Sequence, residues 1–509
     1  ISHSRFAYGA LWKSACDMTL ALALAGLVGG WLGSSVLGRL RRPLDTVIEQ
    51  ATAITQRRFV TVEEPKVPEL KQLASAMNAT VGRLKSMFDD EALRLEQVRQ
   101  EANFDNLTGL ANRAYFMARL RQSMDAEDSP GGLLLMVRLA DLAGINRRLG
   151  RAATDDFLKL TGHVLKRVAE AHSESVPARL NGADFALLVP ANVEGQELAS
   201  RLIQVLIKEA APFVEGGNTA AVGYGRFSQG ENIGELLARI DSALATAEAS
   251  QANSVQEARV STDDDLPRTA DQWAIMIRRA LEHGWVRLIS FPVMTMSGGL
   301  SHRECPLRLM FDERGEWLPA GRFLPIAERL KLTADLDLKA VELGLQDLAR
   351  TPALPGLAIN LSASSLDDRS FIPKLIALVR QSAGAADRLW LEVAEEGAFK
   401  HLDAFRALCP QLKLHGCHVG LEHFGHRFSQ IGQLHDLGLD YLKVDSSFVR
   451  GVDANVGNAA FLKGLCGIAH NIGLLVLAEG VSTDAEIDAL KSLGFDGATG
   501  PAVKDVPAA

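Results

Sequence analysis

The sequence predicts a multidomain chain: a transmembrane helix, helices that form a relay and a stalk, an α/β domain, and a carboxyl-terminal (β/α) TIM barrel. Three observations carry this reading. Residues 18–37 run twenty positions without a charge and are followed at once by Arg39, Arg41 and Arg42. Two strand-like apolar runs, residues 132–139 and 185–189, lie among amphipathic helical stretches at 152–172 and 195–211. Beyond residue 350, short apolar runs end five times in a polar or charged residue, at Asn360, Glu392, Glu422, Asp445 and Glu479. Composition agrees. At roughly 150 residues per domain, 509 residues make about three domains. Apolar residues at 47% and charged residues at 23% exclude wholesale disorder.

Each element follows from its own physics. Twenty apolar residues at about 1.5 Å rise span a hydrocarbon core of about 30 Å, and the arginines behind them predict a cytoplasmic carboxyl-terminal side. Residues 1–17 would then lie outside, as the end of a truncated external part. Leu44, Val47, Ile48 and Ala51 recur at helical spacing, as do Leu70, Leu73, Met77, Val81 and Leu84, with Pro65 and Pro68 breaking the pattern between them. A charged stalk helix continues to residue 99 and carries Met87 and Phe88. Residues 250–268, polar and containing Asp263, Asp264 and Asp265, read as a linker. In the last 240 residues, strands alternating with helices such as 372–381 and 402–408 place functional side chains at strand carboxyl ends, the face on which such barrels build their sites. The net charge of −8 argues against a nucleic-acid partner. Five scattered cysteines without a CxxC pair exclude a disulfide framework and a thiolate zinc site.

Several motifs carry a family resemblance. Phe104-Asp105-Asn106-Leu107-Thr108-Gly109-Leu110-Ala111-Asn112-Arg113 resembles the opening of GGDEF domains, the fold of diguanylate cyclases, whose hallmark turn stands here as Arg179-Leu180-Asn181-Gly182-Ala183-Asp184-Phe185. The barrel resembles an EAL domain, the phosphodiesterase of cyclic di-GMP. Its motifs are Glu304-Cys305-Pro306-Leu307-Arg308, Ile359-Asn360-Leu361-Ser362, Leu391-Glu392-Val393, Leu442-Lys443-Val444-Asp445 and Ala478-Glu479-Gly480-Val481. The paired helices after the span resemble a HAMP relay. Within this class the chain is similar to the LapD type of receptor, through Leu11-Trp12-Lys13-Ser14-Ala15, Ala140-Asp141-Leu142-Ala143-Gly144-Ile145-Asn146 and Ala320-Gly321-Arg322-Phe323-Leu324-Pro325. The expected boundaries are 1–17 external, 18–38 transmembrane, 39–83 HAMP, 84–103 stalk, 104–260 degenerate GGDEF and 270–509 degenerate EAL.

The resemblance implies that neither domain is an enzyme. Arg138 stands where the cyclase family has a metal carboxylate, Ala183 where it has another, and the guanine-reading Asn-Asp pair is Asn146-Arg147. The inhibitory RxxD would fall on His172 and Ser175, and Asp105 and Arg113 would serve the entry loop. In the barrel, the family's metal ligands correspond to Glu304, Asn360, Glu392, Glu422, His423, Asp445 and Glu479, with Lys443 as the catalytic lysine. The family's Asp-Asp pair is Glu422-His423, a longer carboxylate followed by a lost one, and the next loop is Phe424-Gly425-His426-Arg427-Phe428.

What the resemblance leaves is a cyclic di-GMP cup made by Arg308, Asp337, Asn360, Glu392, Lys443, Asp445 and Glu479. Arg308 would pair a ligand phosphate and Asp337 would read a guanine edge. No cofactor is expected, and magnesium is not. The implied function is a catalytically inactive inner-membrane receptor, mostly cytoplasmic, that signals outward through a missing output domain. That domain would control a periplasmic cysteine protease and adhesin retention, and so biofilm. A homodimer is expected, a diguanylate cyclase is a further partner, and Phe88 would be an autoinhibitory plug or, sharing helical spacing with Val81 and Leu84, a coiled-coil core position of the dimer. The alternatives are a residual phosphodiesterase using Glu304, Glu392, Asp445 and Lys443, and a ligand-free scaffold such as an RNA-decay adaptor.

Overall fold

The computed structural model describes residues 12–13, 18–20, 22–24, 26–32, 34, 44–45, 48, 61–65, 68–126, 129–172, 174–215, 217–250, 252–258, 270–311, 315–434 and 437–504. It divides into two compact units, residues 1–90 and 91–509. Within the first unit, the described residues of the expected membrane span are helical and exposed. Among the described residues no helix is long and apolar enough to cross a membrane. The first HAMP helix lies largely outside the described residues. The connector before the second is tied down by Asn78, whose side chain accepts from the Val62 amide at 3.1 Å and donates to its carbonyl at 2.8 Å. Helix α1 (Pro68–Asn103) runs unbroken through the boundary expected between HAMP and stalk. Phe88 lies in α1, with its side chain outside what the structure describes.

In the second unit, Asn112 caps α2 (Arg113–Asp125) by accepting from the Tyr115 amide, and its own amide donates to Ala102 O, which fixes the turn out of α1. Asp105 holds the entry loop, as expected: it accepts from the Thr108 amide and hydroxyl, and Arg179 lies 3.3 Å away. The sheet that follows has the order β2-β3-β1-β4-β5, from β1 (Gly132–Leu139), β2 (Val176–Arg179), β3 (Asp184–Pro190), β4 (Ala220–Phe227) and β5 (Val255–Glu257). Central β1 reads as a continuous apolar run because its two faces are covered by α3 (Leu142–Ala169), α4 (Gly195–Ala210) and α5 (Ile233–Ser250). The expected linker at 250–268 begins later than predicted: Val255, Gln256 and Glu257 pair in parallel with β4 and complete the sheet.

Next come α6 (Ala270–His283) and a small sheet of order β10-β9-β6, made by β6 (Val286–Leu288), β9 (Leu307–Leu309) and β10 (Leu318–Pro319). The barrel closes as β11-β12-β13-β14-β15-β16-β7-β8. Its strands are β7 (Phe291–Thr295), β8 (Leu300–Glu304), β11 (Leu357–Leu361), β12 (Leu389–Ala394), β13 (His418–Phe424), β14 (Tyr441–Val444), β15 (Leu475–Ala478) and β16 (Gly497–Ala498). The five runs read from the sequence are the parallel strands β11 to β15. One strand departs from the parallel run of the barrel. β7 is antiparallel to both β16 and β8, because a short hairpin leads directly into β8.

Two features anchor neighbouring elements. Gly457 and Gly464, seven residues apart on α7 (Val456–Asn471), receive Ala102 and Leu95, also seven apart on α1. A Cβ at Gly457 would lie 2.7 Å from Ala102 Cβ, and one at Gly464 would lie 2.3 Å from Leu95. Only glycine allows this approach. The second anchor is Asp337, which is buried on α8, the helix Thr333–Arg350. It accepts from the Ser362 amide at 2.8 Å, the Ser362 hydroxyl at 3.2 Å and the Ser365 hydroxyl at 2.7 Å. The residue expected to read a guanine edge thus anchors the loop after β11 in this structure.

Burial pushes the Asp337 carboxyl up to about 7. A folded pKa above the unfolded value means that the contribution to stability is complete below about pH 4 and is lost as pH rises towards 7, on the order of 3–4 kcal/mol. Asp337→Asn should therefore gain on wild type in unfolding free energy across that window, measured by denaturant titration at several pH values. A gap that stays flat or shrinks contradicts the assignment. Gly457→Val should cost about 1–3 kcal/mol by overpacking and raise amide exchange in residues 91–103. Unchanged exchange there would mean that the glycine seat is not what holds α1.

Candidate functional site

The carboxyl ends of the parallel strands bring Glu304, Asn360, Glu392, Glu422, Lys443, Asp445 and Glu479 to one mouth. Register makes this happen: Asn360 pairs with Glu392, and Ala394 pairs with Glu422 across the next strand. At the centre lies Lys443, with no exposed side-chain surface. Its Nζ donates to Glu392 Oε2 and lies 3.1 Å from Glu304, 3.7 Å from Glu479 and 4.0 Å from Glu422. Burial opposes the charge, but the four carboxylates outweigh it and hold the ammonium well above its ordinary pKa. Two of the carboxyl pKa values shift upwards too. Burial pushes Glu422 up to about 8 and also raises Glu392.

A bulge in β13, where its pairing with β14 shifts between Leu421 and Phe424, re-aims Glu422 and His423 into the mouth. His423 has φ +52°, a left-handed conformation that few non-glycine residues adopt. Its Nδ1 is 2.9 Å from Glu479 and 3.7 Å from Asp445. Although burial opposes the charge, Glu479, Glu422 and Asp445 hold the His423 pKa well above its ordinary value, so the imidazole pairs with these carboxylates as a cation.

The donor set fits a divalent cation. Glu304, Glu392 and Glu422 each bring an oxygen within 4.8 Å of the others, and Glu422, His423 and Glu479 form a second such group. Asn360 donates its amide to Glu422 at 2.9 Å, while its Oδ1 is buried without a hydrogen-bond partner among the described residues. A buried carbonyl oxygen without a hydrogen-bond partner, beside clustered carboxylates, suits a hard cation.

Asp445 is held differently, by the cyclase-like domain. Gln122 on α2 donates to Asp445 Oδ2 at 2.6 Å, and Arg119 lies 3.5 Å from the same oxygen. Arg119 also meets His426 at 3.1 Å, and the Tyr115 hydroxyl meets the other ring nitrogen at 2.8 Å. Although burial opposes ionisation, His426, Arg119 and His423 hold the Asp445 carboxyl well below its usual range. Glu395, buried beneath, accepts from the His426 and Arg427 amides and so fixes the loop that carries His426. Arg450 adds a second bridge, to Asp125 at 2.8 Å. Tyr115, Arg119, Gln122, Glu395 and His426 were missed from sequence. Arg119 and Gln122 sit three apart on a helix whose other face is core, which reads as an ordinary solvated face.

Arg308, also expected at the ligand, is buried on β9, and burial lowers its pKa. In the other domain, Arg138 donates to Asp184 at 2.6 Å and to Glu248 at 2.9 Å, so a guanidinium occupies the carboxylates of that edge.

Comparison with known proteins accords with this anatomy. Residues 102–254 match the family "Diguanylate cyclase, GGDEF domain" and residues 275–504 the family "EAL domain". An uncharacterised protein of Mycobacterium tuberculosis is 30% identical over 406 residues, covering 76% of this chain and 64% of its own length. The cyclic di-GMP phosphodiesterase PdeB of Shewanella oneidensis is 26% identical over 83% of this chain and 50% of its own length. The cyclic di-GMP phosphodiesterase NbdA of Pseudomonas aeruginosa is 28% identical over 81% and 53%. The chain thus spans about half to two thirds of these relatives. An apo structure of Vibrio cholerae LapD, comprising S helix, GGDEF and EAL, superposes with a TM-score of 0.72 at 21% identity and covers 81% of this chain and 98% of that one. The expectation that the chain is no enzyme is overturned by the relatives named phosphodiesterases. The chain carries a GGDEF domain followed by an EAL domain.

Proposed function

We propose that the EAL domain binds cyclic di-GMP at the mouth of the barrel and opens one of its phosphodiester bonds, and that docking of α2 restrains this site. The observation that carries the proposal is the cage itself: four carboxylates and an unpartnered Asn360 oxygen around one buried ammonium. A divalent metal held by Glu304, Asn360, Glu392 and Glu422, with His423 and Glu479 beside them, would make hydroxide available near neutral pH and draw charge from the phosphate. Lys443 keeps its proton, so it acts as a donor towards phosphate oxygen and not as a base. Arg308 and Asp445 complete the ligand set by their place in the family motifs, and Asp337 drops out of it.

Restraint follows from the contacts on Asp445. While Gln122 and Arg119 occupy that carboxylate, it is withheld from ligand and metal. Each charge-assisted hydrogen bond contributes about 1.5–3 kcal/mol, enough to shift an equilibrium by ten- to a hundredfold. This supports a receptor-like role in which nucleotide and interdomain docking compete. The uncharged run at residues 18–37 and the arginines behind it support placing such a receptor at a membrane.

The test is one titration series with product detection. Cyclic di-GMP is added to wild type, to Arg119→Ala/Gln122→Ala and to Glu392→Gln, with and without manganese. The double variant should bind about ten- to a hundredfold more tightly, and wild type should release the linear dinucleotide only with metal. Glu392→Gln should lose turnover by at least about a hundredfold. No binding by wild type sinks the proposal, and equal affinity in the double variant sinks the restraint.

A further inference from the structure

We infer that Tyr441 is a positioning residue that fixes which oxygen of Glu392 the cage offers to a divalent cation. This rests on the metal-binding reading above. Strand β14 sends Tyr441 and Lys443, two residues apart, to the same side of the sheet. Their polar ends reach different oxygens of one carboxylate. The Tyr441 hydroxyl donates to Glu392 Oε1 at 3.0 Å, and Lys443 donates to Oε2. Tyr441, Glu392 and Lys443 are all fully buried, so no water competes for these contacts.

The ring has no freedom to leave. A Cβ at Gly420 on β13 would come within 2.4 Å of the Tyr441 ring, so that glycine exists in the register to seat it. Trp390 lies against the ring on the β12 side, with centroids 4.8 Å apart, and is itself stacked on His302 at 4.0 Å. Trp390 and Glu392 belong to the same strand, two residues apart. The aromatic layer below the cage and the carboxylate above it are therefore registered to each other.

The two donors differ in what they can give up. Lys443 has three other carboxylates within 4.0 Å and can release Oε2 without losing its charge partners. Tyr441 has one acceptor and a fixed ring. When a cation competes for Glu392, Oε2 is the oxygen released and Oε1 stays held. The carboxylate then cannot swing about its own axis.

Manganese binding to the whole chain, measured by calorimetry without nucleotide, tests this directly. Tyr441→Phe should weaken manganese affinity by about tenfold or more, the range found when an outer partner of a metal ligand is removed. Its metal-free cyclic di-GMP affinity should stay near that of wild type, which a merely structural loss would move, while its melting temperature falls by about a few degrees because one buried oxygen of Glu392 loses its donor. Gly420→Ala keeps the hydroxyl but crowds the ring, and should weaken manganese in the same direction. Equal manganese affinity in wild type and either folded variant overturns the role of Tyr441. Absence of manganese binding in wild type overturns the metal reading, and this inference with it.

Discussion

A lysine ammonium sealed inside a barrel among four glutamates is the constraint around which the mouth of this EAL domain is organised. A lone buried charge of either sign is expensive, and removing one partner of such a group leaves the rest uncompensated. Lys443 cannot neutralise Glu304, Glu392, Glu422 and Glu479 together. Burial adds its own cost, pushing the Glu422 carboxyl up to about 8 and raising Glu392 as well. A cage that holds more carboxylate than its resident cation can balance is poised for a second cation. The unpartnered Asn360 oxygen and the His423 imidazole extend the same donor set.

The rim is governed by a different economy of contacts. Asp445 stays ionised because His426, Arg119 and His423 surround it, and two of its partners come from the cyclase-like domain. The glycine seats on α7 and the Asn103–Asn458 hydrogen bond at 3.0 Å hold the end of α1 against the same barrel helix. Core cage and interdomain rim thus meet at His423, whose Nδ1 lies 2.9 Å from Glu479 and 3.7 Å from Asp445. Any ligand that needs the Asp445 oxygens must first compete with Gln122.

Much of the barrel was legible because a strand buried on both faces shows as a short apolar run, and its first polar residue marks the mouth. Asn360, Glu392, Asp445 and Glu479 emerged in that way. What was illegible has physical reasons. β5 consists of three half-polar residues and is a strand only because β4 offers a free edge. The reversed direction of β7 depends on a hairpin, which leaves no periodic trace. Asp337 has a family position at the ligand, and only the serines 25 and 28 residues later turn it inward. Arg119 and Gln122 act on a carboxylate more than 320 residues away, a pairing that no local pattern encodes. His423 was read as a lost charge, although an imidazole is itself a metal ligand.

The central claim is that the cage is a cation site whose resident ammonium and incoming metal balance the same carboxylates. Thermal unfolding of Lys443→Met, with and without manganese, tests it most directly. The account predicts that the metal-free variant melts several degrees below wild type, and that manganese recovers most of the loss because it restores the missing positive charge. A variant whose melting temperature is indifferent to manganese would contradict the claim.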